Sequence, residues 1–217
     1  MKMSLFICGL MMLKFSSPAG AAVALDADWT MNAAIPEGNP VGITASQTFA
    51  GLDQSPITDV AVDLNISGGY NGGLYGYLVL QDAGGNTATE ILLNLVGTTP
   101  SNPFGSAGSG FAVTLSDNGA ASIHNAPGNP TGIWRPDSAS SLDGTFGGMT
   151  ANGTWTLFLA DEFAGGGTST LTSWGLDISV ASVPEPSATG FASGLGLLLV
   201  LAGGAALRRP RRKLQPL

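Results

Sequence analysis

Two stretches in the second half of the chain decide the fold: residues 153–161 read GTWTLFLAD and residues 171–180 read LTSWGLDISV. In both, large apolar side chains alternate with small or polar ones, which is the period of a strand with one buried face. That phase places Trp155 and Trp174 on the buried faces. Because a glycine-rich turn at residues 165–167 separates the stretches, they predict a strand pair in the core of a domain.

Four earlier segments carry strand patterns of the same kind. They are residues 57–66, 74–80, 90–96 and 111–115. The 74–80 segment is apolar on both faces, which is typical of a central strand rather than an edge strand. Since 32 glycines and 13 prolines accompany only 11% charged residues, the composition favours short strands joined by turns. We therefore expect an all-β domain, a jelly-roll-like β-sandwich of about eight strands.

Acidic side chains dominate the middle of the chain. Residues 26–177 contain 14 acids and a single base, Arg135, so their net charge is about −13. The electrostatic field of this negative charge repels the phosphate backbone of nucleic acids, and nucleic-acid binding needs clustered Lys and Arg. The composition therefore excludes nucleic-acid binding and leaves solubility or cation binding as roles for the acids.

The N-terminus has the parts of a signal peptide. Lys2 precedes the apolar run 5–13, and small residues with an Ala-x-Ala pattern follow. We predict a signal peptide over residues 1–24, removed by signal peptidase, and a lead-in segment over residues 25–43. Cleavage fits after Ala21, Ala22 or Ala24. Since the one cysteine, Cys8, lies in the predicted signal peptide, the mature chain has no disulfide.

The C-terminus combines a proline-rich motif, an apolar stretch and a basic end. The apolar stretch, residues 191–207, contains seventeen residues, which reach roughly 25 Å as a helix and can cross a hydrocarbon core. Five basic residues follow: Arg208, Arg209, Arg211, Arg212 and Lys213. By the positive-inside rule, this flank places the C-terminus in the cytoplasm and the preceding domain outside.

This tail, residues 182–217, resembles the PEP-CTERM sorting signal of Gram-negative bacteria. In that signal a Pro-Glu-Pro motif, a transmembrane helix and an arginine-rich end follow one another. The resemblance implies that an exosortase recognises Pro184, Glu185 and Pro186. The membrane anchor is then transient, and the processed protein reaches the cell surface or the extracellular space. Proteins of this kind typically accompany exopolysaccharide production, which suggests a biofilm or matrix setting.

Residues 44–181 resemble the P domain, or homo-B domain, that follows the subtilisin-like catalytic domain of proprotein convertases and also occurs alone in bacterial secreted proteins. The strand pair quoted above carries the resemblance, together with residues 57–60, 70–74 and 132–136. The resemblance implies a jelly-roll-like sandwich that stabilises or binds and has no catalysis of its own. Where the family often has Asp, this chain has Gly73, which removes a carboxylate from that loop.

Residues suited to catalysis are sparse. His124 is the only histidine and lies among turn residues without a nucleophile elbow, so we predict a surface or loop histidine and no enzymatic activity. Zinc sites of the usual kind need His or Cys clusters, which the mature chain lacks. Glycoside hydrolysis remains an alternative if certain carboxylates converge in space. They are Asp59, Asp63, Asp161 and Glu162.

Two candidate binding features remain. Asp161 and Glu162 precede a glycine-rich turn and are candidate ligands for Ca²⁺. Trp134, beside Arg135 and Pro136, is the tryptophan expected to be exposed and the candidate for stacking on a sugar. The leading prediction is a non-enzymatic exported surface or matrix protein, associated with extracellular polysaccharide. The alternatives are a calcium-dependent carbohydrate-binding module, and a secreted hydrolase or accessory domain of a subtilisin-like protease.

Overall fold

The computed structural model describes residues 21–182, which form nine strands and one short helix, α1 (Leu142–Phe146). The strands are β1 (Ala21–Ile35), β2 (Asn39–Phe49), β3 (Ile57–Gly68), β4 (Leu74–Asp82), β5 (Thr87–Asn94), β6 (Gly110–Leu115), β7 (Thr131–Trp134), β8 (Gly153–Asp161) and β9 (Ser169–Ala181). No helix within this part of the chain is long and apolar enough to cross a membrane. The predicted signal peptide up to residue 20, the sorting motif and the span 191–207 lie outside the described residues.

The strands form two sheets. Sheet A has the order β1-β9-β3-β6-β7, and sheet B has the order β2-β8-β4-β5. Neighbouring strands are antiparallel except for the short edge strand β7, which pairs parallel to β6. Apart from β7, successive strands are distributed between the sheets in the order of a jelly roll. The predicted β-sandwich is therefore confirmed, with one strand more than the sequence indicated.

The core lies between the sheets and contains both tryptophans placed there by the sequence. Trp155 and Trp174 are each 0% exposed. The ring of Trp155 packs against Phe146 of α1 at 5.1 Å between centroids, and Trp174 packs against Trp29 of β1 at 4.8 Å. Because side chains alternate across a strand, the other inward positions of β8 and β9 are buried too. Their prediction as core residues is confirmed.

The sandwich begins earlier than residue 44, the predicted boundary. The lead-in segment, residues 25–43, supplies most of β1 and the start of β2. β1 pairs with β9 along its length, as an edge of sheet A. The sequence gives little sign of this strand, because register shifts after Val23 and after Thr30 interrupt its alternation. The pairing of β1 with β9 joins segments that are distant in the sequence, so the pattern of neighbouring residues does not predict it.

Strand pairing also fixes which loops meet. Ala21 pairs with Ala181, so both ends of the described chain lie at one end of the sandwich. At the other end, Asp161 pairs with both Asn39 and Leu74, which brings four loops together. We call this the distal end, formed by residues 36–38, 69–73, 95–109 and 162–168.

Candidate functional site

The two predicted calcium ligands differ in their surroundings. Asp161, the last residue of β8, is 0% exposed and accepts hydrogen bonds from the Phe163 N–H at 3.3 Å and the Ser169 hydroxyl at 3.5 Å. Glu162 is exposed. Burial raises the pKa of Asp161, and the negative charges of Glu37 and Glu162 add to this rise. No group of three His, Cys, Asp or Glu residues within 21–182 is arranged to hold a metal ion.

Gly73 lies directly against this buried carboxylate. A Cβ atom at position 73 would collide with Oδ1 of Asp161. Glycine is therefore required by the position of Asp161, and not by an unusual backbone angle, since Gly73 has no positive φ. The carboxylate of Asp161 therefore occupies the space beside the backbone of the loop 69–73.

The carboxylates considered for glycoside hydrolysis do not converge. Asp59 and Asp63 lie on β3 in sheet A and point away from the core between the sheets. Asp161 is the last residue of β8, in sheet B. Further acids on β1 and β9 share the outer face of sheet A, and we call this surface the acidic face. It consists of Asp26, Asp28, Asp59, Asp63 and Asp177. Burial raises the pKa of Asp177, and the charges of its acidic neighbours raise it further.

His124 lies in a one-turn 3-10 segment, as the prediction of a loop histidine requires, but it has a carboxylate partner. Its Nδ1 lies 2.7 Å from Oδ2 of Asp137, and its Nε2 lies 2.9 Å from the carbonyl oxygen of Thr98. Both partners are acceptors, so the arrangement favours an imidazolium that donates twice. Burial lowers the pKa of His124, but the hydrogen bond and charge of Asp137 outweigh it and the net shift is upward. Neither nitrogen is free to act as a general base.

Trp134 is less available for stacking than the sequence predicted. It ends the edge strand β7 and is half-buried against the core. Its Nε1–H donates to the carbonyl oxygen of Thr131 at 2.9 Å. The apolar side chain that β7 does expose is Ile133, at 59%.

Aromatic rings instead assemble on the outer face of sheet B. Tyr77 of β4 pairs with Phe158 of β8, and their rings stack at 4.6 Å between centroids with an interplanar angle of 16°. Tyr75 lies two residues before Tyr77 on the same face and meets Phe158 edge-on at 6.5 Å. All three rings are partly exposed. We call Tyr75, Tyr77 and Phe158 the aromatic platform.

Paired hydroxyl groups border the aromatic platform. Ser46 and Thr156 are hydrogen-bonded at 2.9 Å between their oxygens, and Thr48 and Thr154 repeat this contact at 2.9 Å one step along the strands. Each hydroxyl that takes part keeps lone pairs for a further partner. The same face of β2 and β8 thus offers hydroxyl groups in register with the rings.

The outer face of sheet B carries no exposed charge on its four strands. The only acids of these strands are Asp82, Glu90 and Asp161, and all three are buried. The two outer faces of the sandwich therefore differ in chemistry: sheet A presents the acidic face, and sheet B presents an uncharged surface of aromatic rings and hydroxyls.

Comparisons with known proteins give no family for this chain. No protein-family model and no curated protein matches it. Among solved structures, the serine protease of Aeromonas sobria, alone and in complex with the chaperone ORF2, is similar at 16% identity and a TM-score of 0.45. Each alignment covers 77% of this chain and 28% of the matched chain.

Proposed function

We propose that this chain is a non-catalytic, exported β-sandwich module that binds an uncharged polysaccharide on the outer face of sheet B. The observation that carries the proposal is the stacked pair Tyr77 and Phe158 on a face without exposed charge. Sugar rings present flat C–H faces that pack on aromatic rings, and hydroxyl edges that exchange hydrogen bonds with Ser and Thr. The platform and the neighbouring hydroxyl rows supply both partners on one sheet.

The charge distribution favours an uncharged polymer over an acidic one. The described residues contain 14 acids and one base, so an anionic chain is repelled at long range. A neutral chain pays no such cost, and sheet B offers it a surface whose acids are all buried. Electrostatics thus set the specificity, while ring stacking supplies the contact area.

Two observations support a role without catalysis. The only histidine of the chain uses both ring nitrogens in hydrogen bonds, to Asp137 and Thr98. Asp59 and Asp63 are separated from Asp161 because they lie on different sheets. The four carboxylates considered for glycoside hydrolysis therefore do not meet at one site.

The export part of the proposal rests on the sequence. The signal peptide directs the chain across the inner membrane, and the tail with Pro184, Glu185 and Pro186 holds it there until an exosortase releases it. The processed P-domain-like sandwich then contributes to the cell surface or the extracellular matrix. Deleting the exosortase should leave a larger, membrane-bound form, and an unchanged size and location would refute the sorting assignment.

Binding is tested with full-length protein in a polyoxyethylene detergent, which contains no sugar. We expect co-sedimentation with insoluble neutral glucans and none with cross-linked alginate or pectate. Tyr77→Ala should weaken binding about tenfold, equivalent to about 1.4 kcal/mol. Trp134→Ala is the matched control and should bind as the parent does. Loss of binding in Trp134→Ala with retention in Tyr77→Ala would move the site to β7, and equal binding of acidic polymers would contradict the proposal.

A further inference from the structure

A small cavity lies at the distal end of the sandwich, away from the outer face of sheet B. It measures about 210 Å³ and is lined by Tyr70, Phe104, Phe163 and the loop residues 164–166. The rings of Phe104 and Phe163 meet edge-on, with 6.2 Å between centroids. Phe104 is 66% exposed, although a large apolar side chain on a loop is stabilised by burial. The three aromatic residues come from three different loops, which only the fold brings together. We call this site the aromatic cleft.

Hydrogen bonds hold the walls of the aromatic cleft in place. Next to Tyr70, the buried Asn71 accepts from the N–H of Gly110 at 2.8 Å and donates to the carbonyl oxygen of Gly128 at 2.9 Å. These bonds tie the β3–β4 loop to two other segments. On the opposite wall, any side chain at Gly166 would collide with Tyr70. Specific contacts between these loops therefore fix the shape of the cleft.

Acidic groups flank the aromatic cleft. Glu37 accepts a hydrogen bond from the N–H of Gly167 at 2.8 Å, at the end of the loop that lines the cavity. Asp161 and Glu162 precede the same loop. Burial raises the pKa of Asp161, and the charges of Glu37 and Glu162 raise it further. The one base within residues 21–182, Arg135, follows the far end of β7. The cleft thus combines aromatic side chains with nearby acids that pair with no Lys or Arg within residues 21–182.

We propose that the aromatic cleft binds a quaternary ammonium group. Ring faces attract cations through their quadrupole, and the attraction is strongest for a cation that is cheap to desolvate. A quaternary ammonium has no N–H groups to satisfy, so an apolar wall of Tyr70, Phe104 and Phe163 suits it. A primary ammonium is strongly hydrated and would lose hydrogen bonds there. A metal ion would need several oxygen ligands, which rings do not offer. The negative charges of Glu37 and Glu162 near the loop 162–168 favour a cation over an anion in this region.

The test is calorimetric titration of the full-length protein with choline, and with 3,3-dimethyl-1-butanol as its neutral isostere. We expect choline to bind at least about tenfold more tightly than the isostere, because charge is the only difference between them. Nα-acetyl-lysine amide should bind more weakly than choline. Equal affinity for choline and the isostere would overturn the proposal, as would tighter binding of the lysine amide or no binding of choline.

Variants separate this site from the polysaccharide site. Phe104→Leu keeps an apolar side chain and removes the ring, so choline affinity should fall at least about fivefold, whereas Phe104→Tyr should retain it. Because Phe104 is exposed, neither change should alter the melting temperature. Glu162→Gln should weaken binding about twofold to threefold at low salt. Tyr77→Ala should leave choline binding unchanged. Unaltered choline binding in Phe104→Leu would place the cation elsewhere and overturn the assignment.

Discussion

Tyr77 and Phe158 stack almost parallel, with ring centroids 4.6 Å apart and an interplanar angle of 16°, on the outer face of sheet B rather than in the core. Their strands β4 and β8 place them directly opposite one another. Each ring therefore restricts the other, and both keep an apolar surface in contact with solvent. A platform whose rings are already fixed loses little conformational entropy when a flat ligand packs on it.

The stacking makes Phe158 a supporting residue for Tyr77. We predict that Phe158→Leu lowers affinity for neutral glucan about threefold to tenfold, because Tyr77 loses the ring that orients it. Aromatic pairs contribute about 0.5–1.5 kcal/mol beyond their burial, so the melting temperature should fall by only about 2–5 °C. Parallel sedimentation and thermal scans measure the two effects. Val79→Ala, on the same face of β4, is the control. Parent-like glucan binding by Phe158→Leu would show that the rings act independently.

The two core tryptophans should differ in their response to substitution. Nε1 of Trp155 donates to the carbonyl oxygen of Ala151 at 3.0 Å, whereas buried Nε1 of Trp174 has no partner among the described residues. Replacement by Ala should cost about 3–5 kcal/mol at either site. Replacement by Phe should cost about 1 kcal/mol more at Trp155, because it also leaves a carbonyl without a donor. Urea unfolding measures the difference, and a larger cost for Trp174→Phe would contradict it.

The contact between His124 and Asp137 predicts how stability depends on pH. The upward shift in the pKa of His124 means that the folded state binds the proton more tightly than the unfolded state. The resulting stabilisation is complete below the unfolded value of about 6.5 and is lost as pH rises through the folded value. For a partly exposed pair we expect about 0.5 kcal/mol, or a fall of about 1–2 °C in melting temperature as pH rises above about 6.5. His124→Gln should flatten this dependence, and an unchanged slope in that variant would assign it to other groups.

Gly73 permits a direct test of calcium binding at Asp161. Gly73→Asp would crowd Oδ1 of Asp161 and add a second negative charge, so it should destabilise the fold by about 1–3 kcal/mol. If the two carboxylates share Ca²⁺, millimolar calcium should recover part of that loss, because a ligand that binds only the folded state stabilises it. Gly73→Asn, which keeps the shape without the charge, should not respond. The same calcium response in the parent and in Gly73→Asn would show that the ion binds without a carboxylate at position 73.

The local sequence pattern was sufficient to predict the central strands and the buried tryptophans. The alternation in residues 153–161 and 171–180 predicts two strands and the burial of Trp155 and Trp174, because a strand has a period of two and one face is excluded from water. The same reasoning placed residues 74–80 in a central strand, which β4 is. This segment is apolar on both faces, yet Tyr75, Tyr77 and Val79 are partly exposed. The apolar character of a strand face in the sequence does not show whether another layer of the structure packs against that face.

The sequence by itself determined the all-β class, the core tryptophans and the excess of acids. The signals for export stay a prediction from the sequence, because most of the residues that carry them lie outside residues 21–182. Only the tertiary structure decided that β1 completes sheet A, that Tyr77 meets Phe158, and that Tyr70, Phe104 and Phe163 share one cleft. The reason is physical. Burial and alternation are properties of a few consecutive residues, whereas the position of one strand or loop against another depends on pairings between residues distant in the sequence, such as Trp29 with Trp174. Each binding surface proposed for this protein is built from such pairings.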